Sequence, residues 1–268
     1  MTTLIDSGFA LLDLDSDGIA WLRLNRPEAA NGMSVEFLQA VHAAIMRCHV
    51  ETAIRAVVLT GEGKNFCAGG DVRTFAAQGA NLPDYIREAT AWLQTTASAL
   101  TQLRPPVIAA VHGFAAGGGG FGLVCAADFV IAAESARFMP AAVNVGMVPD
   151  AGSTVTLTQI VGLRKAMQIF VTNPTLTAAE ALEVGLLTKV VPDDALLAEA
   201  FGLAHAIAAG APAAIAETKR LVWRGLGSTL DAQLPEEARA QSELARTADA
   251  HEGLAAVLER RKPIFTGK

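Results

Sequence analysis

Residues 112–122 read HGFAAGGGGFG, with four consecutive glycines, Gly117 to Gly120, set between two apolar runs. Pro105-Pro106-Val107-Ile108-Ala109-Ala110-Val111 leads in, and Leu123-Val124-Cys125-Ala126-Ala127 leads out. A glycine inside a helix is about 0.5–1 kcal/mol worse than alanine. Four in a row therefore point to a requirement: a turn with positive φ, a backbone that must approach a ligand, or a membrane-packing face. From Pro105 to Ala127 there is no Asp, Glu, Lys or Arg, and the length could span a bilayer. The stretch nevertheless opens on Pro-Pro and holds His112 and six glycines, so strand, glycine loop and helix start is the reading that gives every residue a place.

Composition agrees with a folded, acidic, non-membrane chain. The 268 residues are 51 % hydrophobic and 18 % charged, enough for one large domain with a sizeable core. The net charge of −6 argues against a general nucleic-acid surface. Cys48, Cys67 and Cys125 are odd in number and far apart, so they suggest neither a disulfide framework nor a metal site, and a reducing cytoplasm is expected. The N-terminus carries no basic, signal-like segment.

Outward from the glycines the pattern is strand–helix–strand. Phe9–Leu14 and Ile19–Leu24 flank Asp15-Ser16-Asp17-Gly18 as a hairpin. Ser34 starts a helix in which Val35, Leu38, Val41 and Ile45 share a face, with Glu36 in its first turn. Ala56–Thr60, Val107–Val111 and Phe129–Ala132 read as buried strands, and 83–103 as a helix. This rhythm predicts an α/β fold with mostly parallel pairing. After Ala178 the chain reads as helices at 178–184, 195–209, 212–224, 230–247 and 250–260, with Val190-Val191-Pro192 extended. The expected division is a core over 1–192 and a C-terminal helical module over 193–268.

Gly117-x-Gly119-x-x-Gly122 matches a dinucleotide-binding fingerprint literally, but it lies more than 100 residues into the chain and has no acid at the expected distance. No phosphate-cradling GxxxxGK[ST] occurs. A second small-residue loop, Lys64-Asn65-Phe66-Cys67-Ala68-Gly69-Gly70-Asp71, also follows a strand. Two strand ends of this kind can aim two main-chain N–H groups at one point, the geometry of an oxyanion hole. Cys67 lies in that loop without a basic partner nearby in sequence, which argues against a nucleophile.

Six stretches together resemble the crotonase, or enoyl-CoA hydratase/isomerase, superfamily. They are LNRPEAANGMS (24–34), VVLTGEGKNFCAGGDV (57–72), PPVIAAVHGFAAGGGGFGL (105–123), AADFVIAAESARF (126–138), VGMVPDAGST (145–154) and LTAAEALEVGLLTKVVP (176–192). The resemblance covers roughly 8–265 and implies a crotonase-like fold of repeated ββα units. It also implies a C-terminal helical module that builds a homotrimer or hexamer, and an acyl-CoA thioester as substrate, coenzyme A being part of that substrate and no separate cofactor being needed. Carried over, the thioester oxygen accepts from Gly70 and from a glycine of the second loop. Counting forward from Val111 selects Gly118 and counting back from Asp128 selects Gly119; Gly118 is preferred. The glycines then admit a ligand to the backbone at a helix N-terminus, which favours an oxyanion.

The two glutamates of the family's hydratases fall at Phe121 or Gly122 and at Ala142, none of which moves a proton. Asp150 lies where some isomerases of the family carry their single base. Enoyl-CoA isomerisation with Asp150 as proton shuttle is thus the expected reaction. Hydration, thioester hydrolysis and a non-catalytic acyl-CoA-binding role are the alternatives, and a helix N-cap is the plain structural role for Asp150. For coenzyme A the resemblance implies Arg26, Lys64 and Arg73 near the phosphates, Ala68, Asp71 and Val72 beside the adenine, Gly119 on the thioester loop, and Lys262 in the tail Arg260-Arg261-Lys262. Asp71 has an anchoring role in the family. The segment 74–100, with Phe75, Tyr85 and Trp92, is expected to line the acyl pocket, but its pattern does not specify the acyl group.

Overall fold

A computed structural model describes all residues, 1–268. Its first half comprises β1 (Thr2–Ile5), β2 (Ala10–Leu14), β3 (Ile19–Leu24), α1 (Val35–Val50), β4 (Ala56–Gly61), α2 (Val72–Ala77), α3 (Leu82–Thr101), β5 (Val107–Val111), β6 (Phe114–Ala116), α4 (Gly117–Ala126) and β7 (Phe129–Ala133). Then come β8 (Arg137–Met139), α5 (Ser153–Val161), α6 (Leu163–Thr172), β9 (Leu176–Thr177), α7 (Ala178–Glu183), β10 (Lys189–Val191), α8 (Leu196–Ala208), α9 (Pro212–Gly225), α10 (Leu230–Leu244) and α11 (Ala248–Glu259).

Seven strands form one sheet in the order β1-β2-β3-β4-β5-β7-β10. The edge β1–β2–β3 is antiparallel, and from β3 onward all pairing is parallel. The hairpin expected at residues 9–24 forms because Asp15 Oδ1 accepts from the Asp17 N–H (2.9 Å) and the Ile19 N–H (2.8 Å). β5 is buried along its whole length, as a parallel strand covered on both faces must be. α8 covers one face with Ala200, Ala204 and Ala208, small residues at helical spacing that let helix and sheet approach closely. The Ser34 helix start also stands: Ser34 Oγ accepts from the Phe37 N–H at 3.3 Å.

The structure adds elements not marked out in the sequence. β6 lies inside the glycine stretch and pairs parallel with β8, which pairs antiparallel with β9 in a small second sheet. α2, α5 and α6 are likewise additions. Residues 105–127 fold as two short strands and a ten-residue helix, and no single helix is long and apolar enough to cross a membrane.

α9 is pinned to the core by a buried ion pair, Lys219 Nζ to Asp128 Oδ2 at 2.7 Å. The same carboxylate accepts from the Val107 N–H (2.7 Å) and from Trp223 Nε1 (2.6 Å). Burial holds the Lys219 ammonium below its ordinary pKa, opposed by Asp128. Removing one partner of such a pair leaves a buried charge uncompensated. Lys219→Ala is expected to lower unfolding free energy by about 3 kcal/mol, read as a shift of the urea midpoint. An unchanged midpoint would show that the pair does not hold the helix.

Candidate active site

β4 and β5 end side by side, and the loops that leave them meet at glycines. Gly69 (φ +98°) and Gly117 (φ +57°) occupy the left-handed region that glycine tolerates. A Cβ on Gly69 would lie 2.9 Å from the Ala116 carbonyl oxygen and 3.3 Å from Gly117 Cα. One on Gly117 would lie 3.2 Å from Gly69 Cα and 3.7 Å from Gly70 N. Main chain therefore packs on main chain here, with no room for side chains.

Main-chain N–H groups of both loops are left without a main-chain acceptor by this arrangement, that of Gly70 in one and those of the first turn of α4 in the other. Gly70 forms a parallel bridge with Met33 in which the Met33 N–H donates to Gly69 O (2.8 Å) and the Asp71 N–H to Met33 O (3.0 Å). The bridge uses the residues on either side, so the Gly70 N–H turns to the opposite edge, toward Gly117. Gly118 lies in the first turn of α4, where N–H groups have no intrahelical acceptor, and the Ala116 cap offers no side-chain acceptor.

Neither Gly70 nor Gly118 has positive φ; space is what they provide. A Cβ on Gly118 would coincide with the Asp150 carboxylate. One on Gly70 would come within 2.5 Å and 2.6 Å of Cε2 and Cζ of the Phe75 ring. Gly119, by contrast, faces the core: its Cβ would lie 2.7 Å from Met33 Sδ and 3.0 Å from Cys67 Sγ. The ambiguity between Gly118 and Gly119 is one of direction, and Gly118 is the glycine that faces Asp150.

Asp150 does not cap a helix. Ala151 (φ +54°) and Gly152 (φ +75°) turn the chain before α5, whose N-cap is Gly152. It is the main-chain oxygen of Asp150 that accepts from the Ser153 N–H (3.0 Å) and Oγ (2.7 Å). No cationic side chain lies within 4.0 Å of its carboxylate, since it enters none of the ion pairs of the chain. Burial pushes its pKa above the ordinary value. Phe121 is buried, Gly122 packs toward Ala151, and Ala142 opens a short 3-10 helix, so no acid occupies the two other positions considered from sequence.

Several residues expected at coenzyme A have partners within the chain. Arg26 Nη2 pairs with Asp71 Oδ2 at 2.8 Å, and its Nη1 donates to Gly32 O at 2.8 Å. Asp71 also caps α2 through the Thr74 N–H (3.1 Å) and Oγ1 (2.8 Å), which lowers its pKa against the opposing effect of burial. Ala68, Val72 and Arg73 are exposed beside this pair. Lys262 is exposed on a tail folded along α11, held by the Ile264 N–H to Glu252 Oε1 (2.8 Å) and the Thr266 N–H to Asp249 Oδ1 (2.7 Å). None of the tail's hydrogen bonds reaches the 64–73 loop. His112 faces the Gly63 carbonyl at 3.0 Å, a structural contact. The buried Cys67 thiol donates to Asn31 O (3.0 Å) and is pushed up to about 12, as an inert cysteine would be.

The main residue that sequence reasoning missed is Asn31. It is fully buried at φ +55°. Its amide donates to the carbonyls of Glu62 (3.0 Å), Asn65 (2.9 Å) and Phe66 (3.0 Å), and its Oδ1 accepts from the Arg26 N–H (2.8 Å). It thereby fixes the loop that carries Gly70. The Asn-Gly dipeptide in LNRPEAANGMS is a turn signal that could have marked it. A separate cavity of about 650 Å³, floored by Lys219 and Asp128, lies at the C-terminal end of α4, away from Asp150.

This architecture is shared by solved proteins. An enoyl-CoA hydratase from Bacillus anthracis superposes with a TM-score of 0.91 at 33 % identity, covering 97 % of this chain and all of that one. One from Mycobacterium smegmatis gives 0.90 at 32 %, covering 97 % and 99 %. The fold is that of the crotonases. Residues 15–268 match the enoyl-CoA hydratase/isomerase family, and the chain belongs to it. It is 41 % identical to a protein from Rhodobacter capsulatus described as a probable enoyl-CoA hydratase, over 94 % of this chain and 96 % of that one. It is 35 % identical to the 1,2-epoxyphenylacetyl-CoA isomerase of Escherichia coli, with the same coverage.

Proposed function

We propose that this family member is an enoyl-CoA isomerase in which the N–H groups of Gly70 and Gly118 hold the thioester oxygen and Asp150 moves the proton. The observation that carries this reading is a half-buried carboxylate set against Gly118, free of any cationic partner, with no second acid at Phe121, Gly122 or Ala142. Asp150 takes the C2 proton of a 3-enoyl thioester. The C–H electrons form the C1–C2 double bond of a dienolate, and the oxygen gains the charge that the two amides stabilise. Each such donor contributes on the order of 2.7–4 kcal/mol. The same carboxyl returns the proton to C4, which leaves the double bond at C2–C3. One base suffices, whereas hydration must also position and activate a water. The substrate carries coenzyme A, for whose phosphates the exposed Arg73 and Lys64 are suited. In this reading Leu254, Val257 and Leu258, exposed on α11, belong to a face through which copies associate as a trimer or hexamer.

With 3-hexenoyl-CoA and 2-hexenoyl-CoA as paired substrates, isomerisation is expected to exceed hydration by about 100-fold. Hydration as fast as isomerisation would overturn the reading. Asp150 must be ionised to act, and burial raises its pKa. kcat/KM for isomerisation is therefore expected to fall with decreasing pH through an acid limb above the ordinary aspartate range. A limb at the ordinary position would assign the base elsewhere.

A further inference from the structure

Phe75 occupies the space that a side chain on Gly70 would fill. It is half-buried on α2, and its ring edge, Cε2 and Cζ, is the part that lies against Gly70. Two contacts hold it there. Asp71 caps the start of its helix. Tyr85 of α3 packs edge-to-face on the ring, with centroids 5.9 Å apart and planes at 63°. Tyr85 is itself tied down, its hydroxyl accepting from the Val35 N–H at 3.2 Å. The ring is thus a fixed wall.

We infer that Phe75 is a specificity-determining residue that limits bulk at C2 of the acyl group, so that the site takes thioesters unbranched at C2 and rejects those carrying a C2 methyl. The inference rests on the reading that the Gly70 N–H binds the thioester oxygen. An oxygen about 3 Å from that nitrogen places C2 only two bonds further on, within reach of a ring packed on the same glycine. On the Gly118 side the Asp150 carboxylate must approach C2 and leaves no alternative space. A methyl group in such a site changes affinity by about 10–200-fold.

Calorimetric binding of butanoyl-CoA and 2-methylbutanoyl-CoA, with free coenzyme A as reference, tests this without requiring turnover. The wild-type protein is expected to prefer the straight chain by about tenfold or more. Phe75→Ala is expected to bring the ratio close to unity by strengthening the branched ligand. Phe75→Leu, which keeps an apolar contact with Tyr85, is expected to fall between. A ratio that does not move, or a Phe75→Ala protein that loses both ligands equally, overturns the assignment while the site reading stands. If neither thioester binds the wild-type protein better than coenzyme A alone, the reading of the Gly70 site has failed and the Phe75 inference falls with it.

Discussion

Replacing Asp150 by asparagine is expected to lower isomerase kcat by roughly 10³-fold, the usual contribution of a positioned general base. KM should change little, because asparagine fills the same space over Gly118 and the two amides still hold the oxygen. Stability is expected to move the other way. A half-buried aspartate with a raised pKa binds its proton more readily in the folded state than in the unfolded state. Its contribution to stability is therefore largest at low pH and declines as pH rises through the shifted pKa. An asparagine side chain carries no charge to desolvate, so Asp150→Asn should be at least as stable as the wild type at neutral pH. Loss of activity together with loss of folding would instead make Asp150 a structural residue. Steady-state rates and a urea midpoint on the same preparation separate the two cases.

Gly118→Ala is expected to be of similar severity by a different route. Its methyl group would stand where the Asp150 carboxylate now lies. The carboxylate end can rotate away at small cost to the fold, and alanine suits a helix better than glycine. Activity is expected to drop by roughly 10²–10³-fold, as when a general base is moved out of reach of its proton, while the thermal midpoint holds or rises. Gly119→Ala reverses this signature. Its methyl would press on Met33 Sδ and Cys67 Sγ in the core, so stability falls first. Equal effects of the two substitutions on activity and stability would remove the distinction between Gly118 and Gly119.

The two small-residue loops could be read in the sequence because each follows a strand end, a local signal that survives without three-dimensional context. Ser34 and the Asp15 turn were legible for the same reason: cap and turn residues bond within a few positions of themselves. Asp150 carries no such signal and is singled out only by the resemblance to the family. Relations across distance were not legible. β6 has three residues, too few for a periodic pattern, and is fixed by its pairing with β8 and by a bridge to Cys67, in which Ala116 N donates to Cys67 O and Cys67 N to Phe114 O, each about fifty residues away. Asn31 acts on carbonyls more than thirty positions distant. The positive φ of Ala151 is what frees the Asp150 carboxylate from a capping role, and no composition rule assigns such a φ to alanine. Arg26 and Asp71 illustrate the converse: each suits a ligand site when taken singly, yet the fold pairs them with each other.

The crystal structure of a complex with a non-isomerisable acyl-CoA is the most direct measurement. The thioester oxygen is expected within about 3 Å of both Gly70 N and Gly118 N, with an Asp150 oxygen facing C2. A thioester oxygen bound by any other pair of donors, or an Asp150 carboxylate turned away from C2, would contradict the account.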